Sequence, residues 1–260
     1  MLLNWQTHGG HGPHLLLVHG FLSSAAQWQC NLEGLRQHFQ PVTVELLGHG
    51  GSAAPEDDEP YLPDTYVAQF DAIRTQLSAD SWFLLGYSMG AGLTIRYAQQ
   101  HPQHVLGHAF TNSTSAFADA KQQASMQSYG EQQASQIIEQ GRPAIERLAV
   151  HPSRAMSLDP SIKAALVADA ARLDPVGVAQ TLRHTLPGIS VREQLGSNST
   201  PALLLWGQRE RRFKPLAQYA SQHMPKLSVI NLPAGHGVNM EQPVVFNEHL
   251  AEFKQQCLTS

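Results

Sequence analysis

Short apolar runs alternate along this chain with stretches in which apolar side chains recur every third or fourth position. The two patterns predict different elements. The runs at 14–18, 42–46, 82–85, 105–110, 202–206 and 227–232 are bounded by turn residues and match the length of strands buried on both faces. Between them, Tyr66, Phe70, Ile73 and Leu77 share one helical face, as do Phe246, Leu250, Phe253 and Cys257 nearer the end. A further helix is expected from about residue 25 to residue 39. Strands alternating with amphipathic helices predict an α/β fold, a mostly parallel central sheet flanked by helices.

The alternation stops between residues 113 and 200. This stretch is rich in Gln, Ala and Ser and carries helix-like pieces at 118–129, 132–139, 143–150, 162–173 and 176–186. Gly130, Gly141, His151-Pro152, Asp159-Pro160 and Asp174-Pro175 separate them. No strand pattern occurs there, and neither end has a linker-like composition. The expected organisation is a core domain from residues 1–112 and 201–260, with 113–200 inserted as a helical cap before the strand that precedes the candidate acid. No internal repeat is present.

With 260 residues, 42% of them hydrophobic, the chain can fill a sizeable core. Its net charge of −4 offers no basic field for nucleic acid and no acidic tail, so a small-molecule partner is expected. The segment Met1-Leu2-Leu3-Asn4-Trp5-Gln6 has no basic region leading into an apolar core, and no run reaches the roughly 18 apolar residues of a membrane span. The expectation is a cytoplasmic protein without membrane insertion. Cys30 and Cys257 lie far apart without a C-x-x-C pattern, as free thiols in a reducing compartment would. Oligomeric state is not legible.

Candidate chemistry centres on Gly86-Tyr87-Ser88-Met89-Gly90, between the 82–85 run and a helix-like stretch. A Ser on a sharp strand-to-helix turn needs small residues two positions to either side, and this spacing predicts a nucleophile elbow. A Ser hydroxyl is a weak nucleophile, so it requires a base, and the base requires an orienting acid. His236, in Ala234-Gly235-His236-Gly237-Val238, follows the last predicted strand; Glu210, in Gly207-Gln208-Arg209-Glu210, follows the 202–206 strand. The order Ser, acid, His suits a hydrolase triad. An oxyanion needs two donors, and the backbone amides of Met89 and Phe21 are the candidates, the latter within His19-Gly20-Phe21.

These motifs, with Leu47-Gly48-His49-Gly50-Gly51-Ser52, resemble the α/β-hydrolase-fold enzymes in order and spacing. Within that family, Asp174-Pro175-Val176-Gly177-Val178-Ala179 and Gly207-Gln208-Arg209-Glu210-Arg211-Arg212-Phe213 are similar to the succinyl-hydroxycyclohexadiene-carboxylate synthases of menaquinone biosynthesis. The segment from Ala234 to Pro243 is equally similar to lactonases and small esterases. The resemblance implies a cofactor-free serine hydrolase of small carboxylic esters or lactones. Two alternatives stand beside it: a synthase-type lyase, in which the same triad abstracts a proton and starts pyruvate elimination, and a signalling relative that uses the pocket for recognition. Three departures bear on the choice. The synthases carry an Arg two residues after the elbow's last Gly, where this chain has Gly92; they carry another at the start of the cap, where residues 118–129 hold only Lys121; and the acid, more often Asp, is Glu210.

Other residues receive plainer readings. His8, His11 and His14 recur every third residue but lack nearby Cys or carboxylates, so exposed loop histidines are expected and no metal site. His49 is read as structural, Asp174 as a reserve acid at a helix boundary, and Arg209, Arg211 and Arg212 as a solvated face. His19, Tyr87 and Trp28 are the candidates for the substrate pocket, Trp28 with a core role as the alternative.

Overall fold

The computed structural model describes residues 2–259. Seven strands form one sheet: β1 (Trp5–Thr7), β2 (His14–Val18), β3 (Gln40–Val44), β4 (Trp82–Gly86), β5 (Val105–Phe110), β6 (Ala202–Gly207) and β7 (Leu227–Leu232), in the spatial order β1-β3-β2-β4-β5-β6-β7. All neighbouring pairs are parallel except β1 with β3. Strands β4 and β6 are buried along their whole length, which is why their sequences are apolar without alternation. The antiparallel edge strand β1 carries no sequence prediction, since three residues, one half-buried and two exposed, leave no periodic signal.

Strand β3 lies two residues earlier than the predicted 42–46. Beyond Val44 the chain leaves the ladder because its polar groups find other partners. Ser52 Oγ donates to the Glu45 carbonyl at 2.5 Å, the Leu46 amide donates to His19 Nε2 at 3.0 Å, and the Glu45 carboxylate receives the Gly51 amide at 2.6 Å.

Helices cover both faces. The predicted 25–39 helix is a 3₁₀ turn at Ala25–Trp28, capped by Ser24, followed by α1 (Gln29–Leu35). After α1 come α2 (Pro63–Gln76) and α3 (Met89–Gln100), which pack on the face of the sheet showing Leu16, Val18, Val42 and Leu84. Between β5 and β6 the chain forms only helices: α4 (Ala120–Gln140), α5 (Arg142–Arg147), α6 (Pro160–Ala170), α7 (Pro175–Gln180) and α8 (Leu186–Gly188). The chain then adds α9 (Lys214–His223), α10 (Val238–Glu241) and α11 (Pro243–Thr259), and α11 joins α1 on the face showing Leu15, Leu17, Phe83 and Leu85. Among the described residues no helix is long and apolar enough to cross a membrane.

Two cap glycines serve close approach. Gly130, expected to separate two helices, lies within α4 and serves close packing instead: a Cβ there would strike the Leu182 carbonyl. That carbonyl belongs to a π-helical turn at Thr181–Thr185. Pro187, just after the turn, has no N–H to give, and the Arg183 carbonyl takes Gln127 Nε2 of α4 instead, at 3.3 Å. Gly177 of α7 lies against Gly48 of the loop after β3, where a Cβ on Gly48 would come 2.5 Å from Gly177 Cα. The Asp174 amide donates to Gly48 O at 3.0 Å, fixing that approach. Side chains tie the cap to the core as well: Ser24 donates to Asp169, and Ser157 donates to Glu241 at 2.9 Å.

Buried histidines brace the loops at the carboxyl ends of β2 and β3. His19 Nε2 accepts the Leu46 amide and His49 Nε2 accepts the Leu22 amide at 3.2 Å, so each ring carries its proton on Nδ1. Those protons go to Gly20 O at 2.7 Å and Leu47 O at 2.8 Å. Burial pushes His19 down to about 4. Burial, with the charge on His19, pushes His49 down to about 3.

Both values lie below the ordinary 6.5, so between about pH 6.5 and about pH 4 the unfolded chain binds protons that the folded one refuses. Stability is expected to fall as the pH drops through that window, by up to about 1.4 kcal/mol per pH unit for each histidine. Calorimetric melting temperatures from pH 7.5 to 4.5 check this, and a flat profile would contradict the neutral braces. Separately, Gly177→Ala forces a methyl into the Gly48 backbone and is expected to cost about 1–3 kcal/mol, a melting shift of several degrees. An unchanged melting temperature would mean that the two loops part freely.

Candidate active site

Ser88 occupies the turn between β4 and α3 with φ 53° and ψ −114°, a left-handed conformation that an L-residue adopts only when its surroundings impose it. The surroundings are the flanking glycines: a Cβ on Gly86 would come 2.6 Å from Ala91 Cα, and one on Gly90 would come 2.7 Å from His19 O. The Ser88 amide donates to Thr111 Oγ1 at 3.2 Å, which ties the turn to the end of β5. Ser88 is therefore held at the carboxyl edge of the sheet.

His236 and Glu210 arrive from the loops after β7 and β6. His236 Nδ1 lies 2.9 Å from Glu210 Oε2, with the two side chains 44% and 25% exposed. A proton on Nδ1 donates to the carboxylate and leaves Nε2 as a free base. The His236 ring stands edge-on to Tyr87, centroids 5.2 Å apart, beside the residue that precedes Ser88. Burial opposes the charge on Glu210, but the His236 hydrogen bond and charge, aided by the Asn112 amide, outweigh it and hold the carboxyl below its ordinary range. Burial pushes the Tyr87 phenol far above its ordinary value, and the carboxylates of Glu210 and Glu241 push it further, so it stays neutral.

The two amides expected to stabilise an oxyanion stand out by elimination. The neighbouring amides are all engaged: Gly20 with Gln27 Oε1 at 3.2 Å, Leu22 with His49, Ser88 with Thr111, and Gly90 with Tyr87 O at 2.8 Å. Those of Phe21 and Met89 have no acceptor among the described residues. Gly20 permits the loop's approach, since a Cβ there would come 2.8 Å from the Tyr87 ring and 3.2 Å from Ser88 Cβ.

Ser88, His236, Glu210, Phe21, Met89 and Tyr87 all line one cavity of about 670 Å³. Its cap side is largely apolar, with Met126, Tyr129, Leu148, Val150, Leu158, Leu166 and Leu182. Arg154 is the only Lys or Arg in the lining. Two of the three predicted pocket residues are corrected here. His19 is spent bracing the loop after β2, and Trp28 is fully buried behind the wall, edge-on to Tyr87 at 6.5 Å; only Tyr87 reaches the cavity. Asp174 caps α7, accepting the Gly177 amide at 3.0 Å, and does not line the cavity. Of the three spaced histidines, His8 pairs with Thr43 Oγ1 at 2.8 Å. Among the described residues no group of three or more His, Cys, Asp or Glu could hold a metal ion.

Three residues were not anticipated. Asn112 donates to Glu210 Oε2 at 2.5 Å and accepts the Gly207 amide at 2.9 Å, steadying the acid from the end of β5. Its signal was available, as a polar residue just past an apolar strand run is where α/β sheets place site residues. Gln27 lines the cavity and holds Gly20 through its Oε1, while its Nε2 is buried and without a partner among the described residues. Glu241 contacts the histidine loop from α10. Neither of the last two carries a sequence signal, because their partners are brought to them only by the fold.

The comparisons with known proteins agree with this fold. A profile of the alpha/beta hydrolase fold matches residues 13–243. A Bacillus subtilis protein provisionally assigned as 2-succinyl-6-hydroxy-2,4-cyclohexadiene-1-carboxylate synthase is 24% identical over 246 residues, covering 92% of this chain and 89% of its own. The structure of MenH from Staphylococcus aureus superposes with a TM-score of 0.86 at 19% identity, covering 98% of both chains. An esterase from Exiguobacterium antarcticum superposes with a TM-score of 0.82 at 15% identity, covering 97% of this chain and 95% of its own. With a strand-turn-helix elbow, a helical cap before β6 and a family match spanning most of its length, the chain belongs to the alpha/beta hydrolase fold family.

Proposed function

We propose that the protein is a serine hydrolase of small carboxylic esters or lactones. One observation carries this: the hydrogen-bonded His236–Glu210 pair and the two unengaged amides of Phe21 and Met89 surround the same cavity as Ser88. Ser88 Oγ attacks the carbonyl carbon, its proton passes to His236 Nε2, and the carbonyl π pair moves onto the oxygen, which accepts hydrogen bonds from the two amides. Collapse of that intermediate breaks the bond to the alcohol oxygen, which takes the proton from His236. Water then attacks the acyl-enzyme, gives a proton to His236, and releases the acid as Ser88 recovers it. In a lactone the leaving alcohol stays within the same molecule. Glu210, held charged, stabilises the imidazolium formed at each step. No cofactor takes part. In this reading residues 113–200 act as a cap whose apolar wall receives the substrate's hydrocarbon, and the free thiols Cys30 and Cys257 suit a cytoplasmic enzyme.

The synthase-type lyase is the second reading, favoured by the likeness to the Bacillus protein along most of the chain. The binding groups weigh against it. An Arg cannot replace Gly92, because a Cβ there would come 2.7 Å from Ile189 Cγ1 and 2.8 Å from its carbonyl oxygen. Lys121 is exposed and away from the cavity, and Arg183 pairs with Glu131 at 3.1 Å. Arg154 alone remains, and a second buried carboxylate would have no charged partner.

Ser88→Ala is expected to lower kcat on a short p-nitrophenyl ester by roughly 10⁴-fold without unfolding the protein. Retention of a tenth of the activity would exclude the covalent route. Glu210→Gln should lower kcat strongly with a smaller change in KM, and Glu210→Asp less so; wild-type kinetics in Glu210→Gln would displace it as the acid. Across a panel of neutral esters, lactones and the dianionic synthase substrate, neutral esters or lactones should have the highest kcat/KM. Faster pyruvate elimination than any hydrolysis would establish the lyase instead.

A further inference from the structure

The carboxylate of Glu241 sits where three segments of the site meet, and its side chain is only 3% exposed. It accepts the Gly235 amide on both oxygens, at 3.0 and 3.1 Å, and Gly235 is the residue before His236. Its Oε2 pairs with Arg209 Nη2 at 2.6 Å, and Arg209 is the residue before Glu210. Its Oε1 accepts Ser157 Oγ of the cap at 2.9 Å, and Ser157 and its neighbour Leu158 both line the cavity.

The two loops have little slack of their own. The Arg209 amide donates to Ala234 O at 2.9 Å, and a Cβ on Gly207 would strike Gly235 O. From the cap side, a Cβ on Gly237 would come 2.8 Å from Leu158 Cδ2. Among the described residues Glu241 is the one charged group that ties the acid loop, the histidine loop and the cap together. A buried carboxylate with four hydrogen bonds holds its partners far more firmly than an exposed pair would.

We propose that Glu241 is a positioning residue that holds the loops bearing Glu210 and His236 in register and makes that register depend on the seating of the cap through Ser157. Glu241 touches no substrate; it acts through the placement of His236. The proposal rests on the reading of Ser88, His236 and Glu210 as a triad. A displacement of about 1 Å at a reacting group is enough to cost about 100-fold in rate.

The experiment measures kcat and KM of the full chain on a short neutral p-nitrophenyl ester, each variant well below its own melting temperature, with Ser88→Ala in parallel. Glu241→Ala is expected to lose about 100-fold in kcat with KM changed less than about threefold. Glu241→Gln, which keeps the shape and one acceptor for Gly235, should recover part of that loss and carries the test if Glu241→Ala does not fold. Ser157→Ala should lower kcat severalfold in the wild type and have no further effect in a Glu241→Gln background, as expected for residues acting through one contact. A purely structural role would lower melting temperature but leave kcat of the folded enzyme unchanged, and kcat within twofold of wild type in Glu241→Gln and Glu241→Ala would overturn the proposal. Additive effects of Ser157→Ala and Glu241→Gln would overturn the dependence on the cap. If Ser88→Ala retains activity, the triad reading itself fails, an outcome separate from these.

Discussion

The turn at Ser88 is the constraint from which the site follows. A serine at φ 53° is held in a conformation its side chain disfavours, and it stays there because α3 starts immediately against β2 and β4 with no space for a Cβ at Gly86 or Gly90. The tight packing that imposes the strain also aims the hydroxyl out of the sheet and frees the Met89 amide at the first turn of α3, where helix geometry leaves N–H groups unpaired. One packing arrangement thus provides the candidate nucleophile and one of the two proposed oxyanion donors.

Around that turn, hydrogen bonds are distributed so that reactive groups remain free and structural ones are satisfied. His19 and His49 spend both ring nitrogens, and Gln27 its Oε1, on backbone groups of the loops after β2 and β3. Burial keeps both rings neutral, which suits a brace and not a base. His236 is nearly half exposed and hydrogen-bonded to the Glu210 carboxylate instead of to backbone groups. Two kinds of histidine therefore coexist within one site, and their surroundings separate them.

The cap contributes shape more than charge. Its helices turn apolar side chains onto the cavity, and its contacts with the core run through glycine approaches at Gly48 and Gly177 and through the Ser157 and Ser24 hydroxyls. A wall of this kind favours hydrocarbon and offers a second anionic group little compensation for lost hydration. The steric closure at Gly92 points the same way, because it comes from the packing of α3 against Ile189 and not merely from the absence of an Arg.

The sheet strands, the elbow and the order of Ser88, Glu210 and His236 were legible in the sequence, because each depends on local pattern: apolar runs, small residues at fixed offsets, and polar residues just past strand ends. The sequence also marked Phe21 and Met89, since the roles proposed for them depend only on chain position beside Gly20 and Ser88. It did not reveal the edge strand β1, the early end of β3 or the unbroken α4 through Gly130. Those are set by partners distant in the chain, such as His19 for Leu46 and Leu182 for Gly130. The assignments of His19 and Trp28 to the cavity wall failed for the same reason, as which face of a loop or helix meets the cavity is decided by packing. Glu241 shows the limit most plainly: candidate chemistry could be proposed from motifs, but the hydrogen bonds of this carboxylate to Gly235 and Arg209 exist only once the chain has folded.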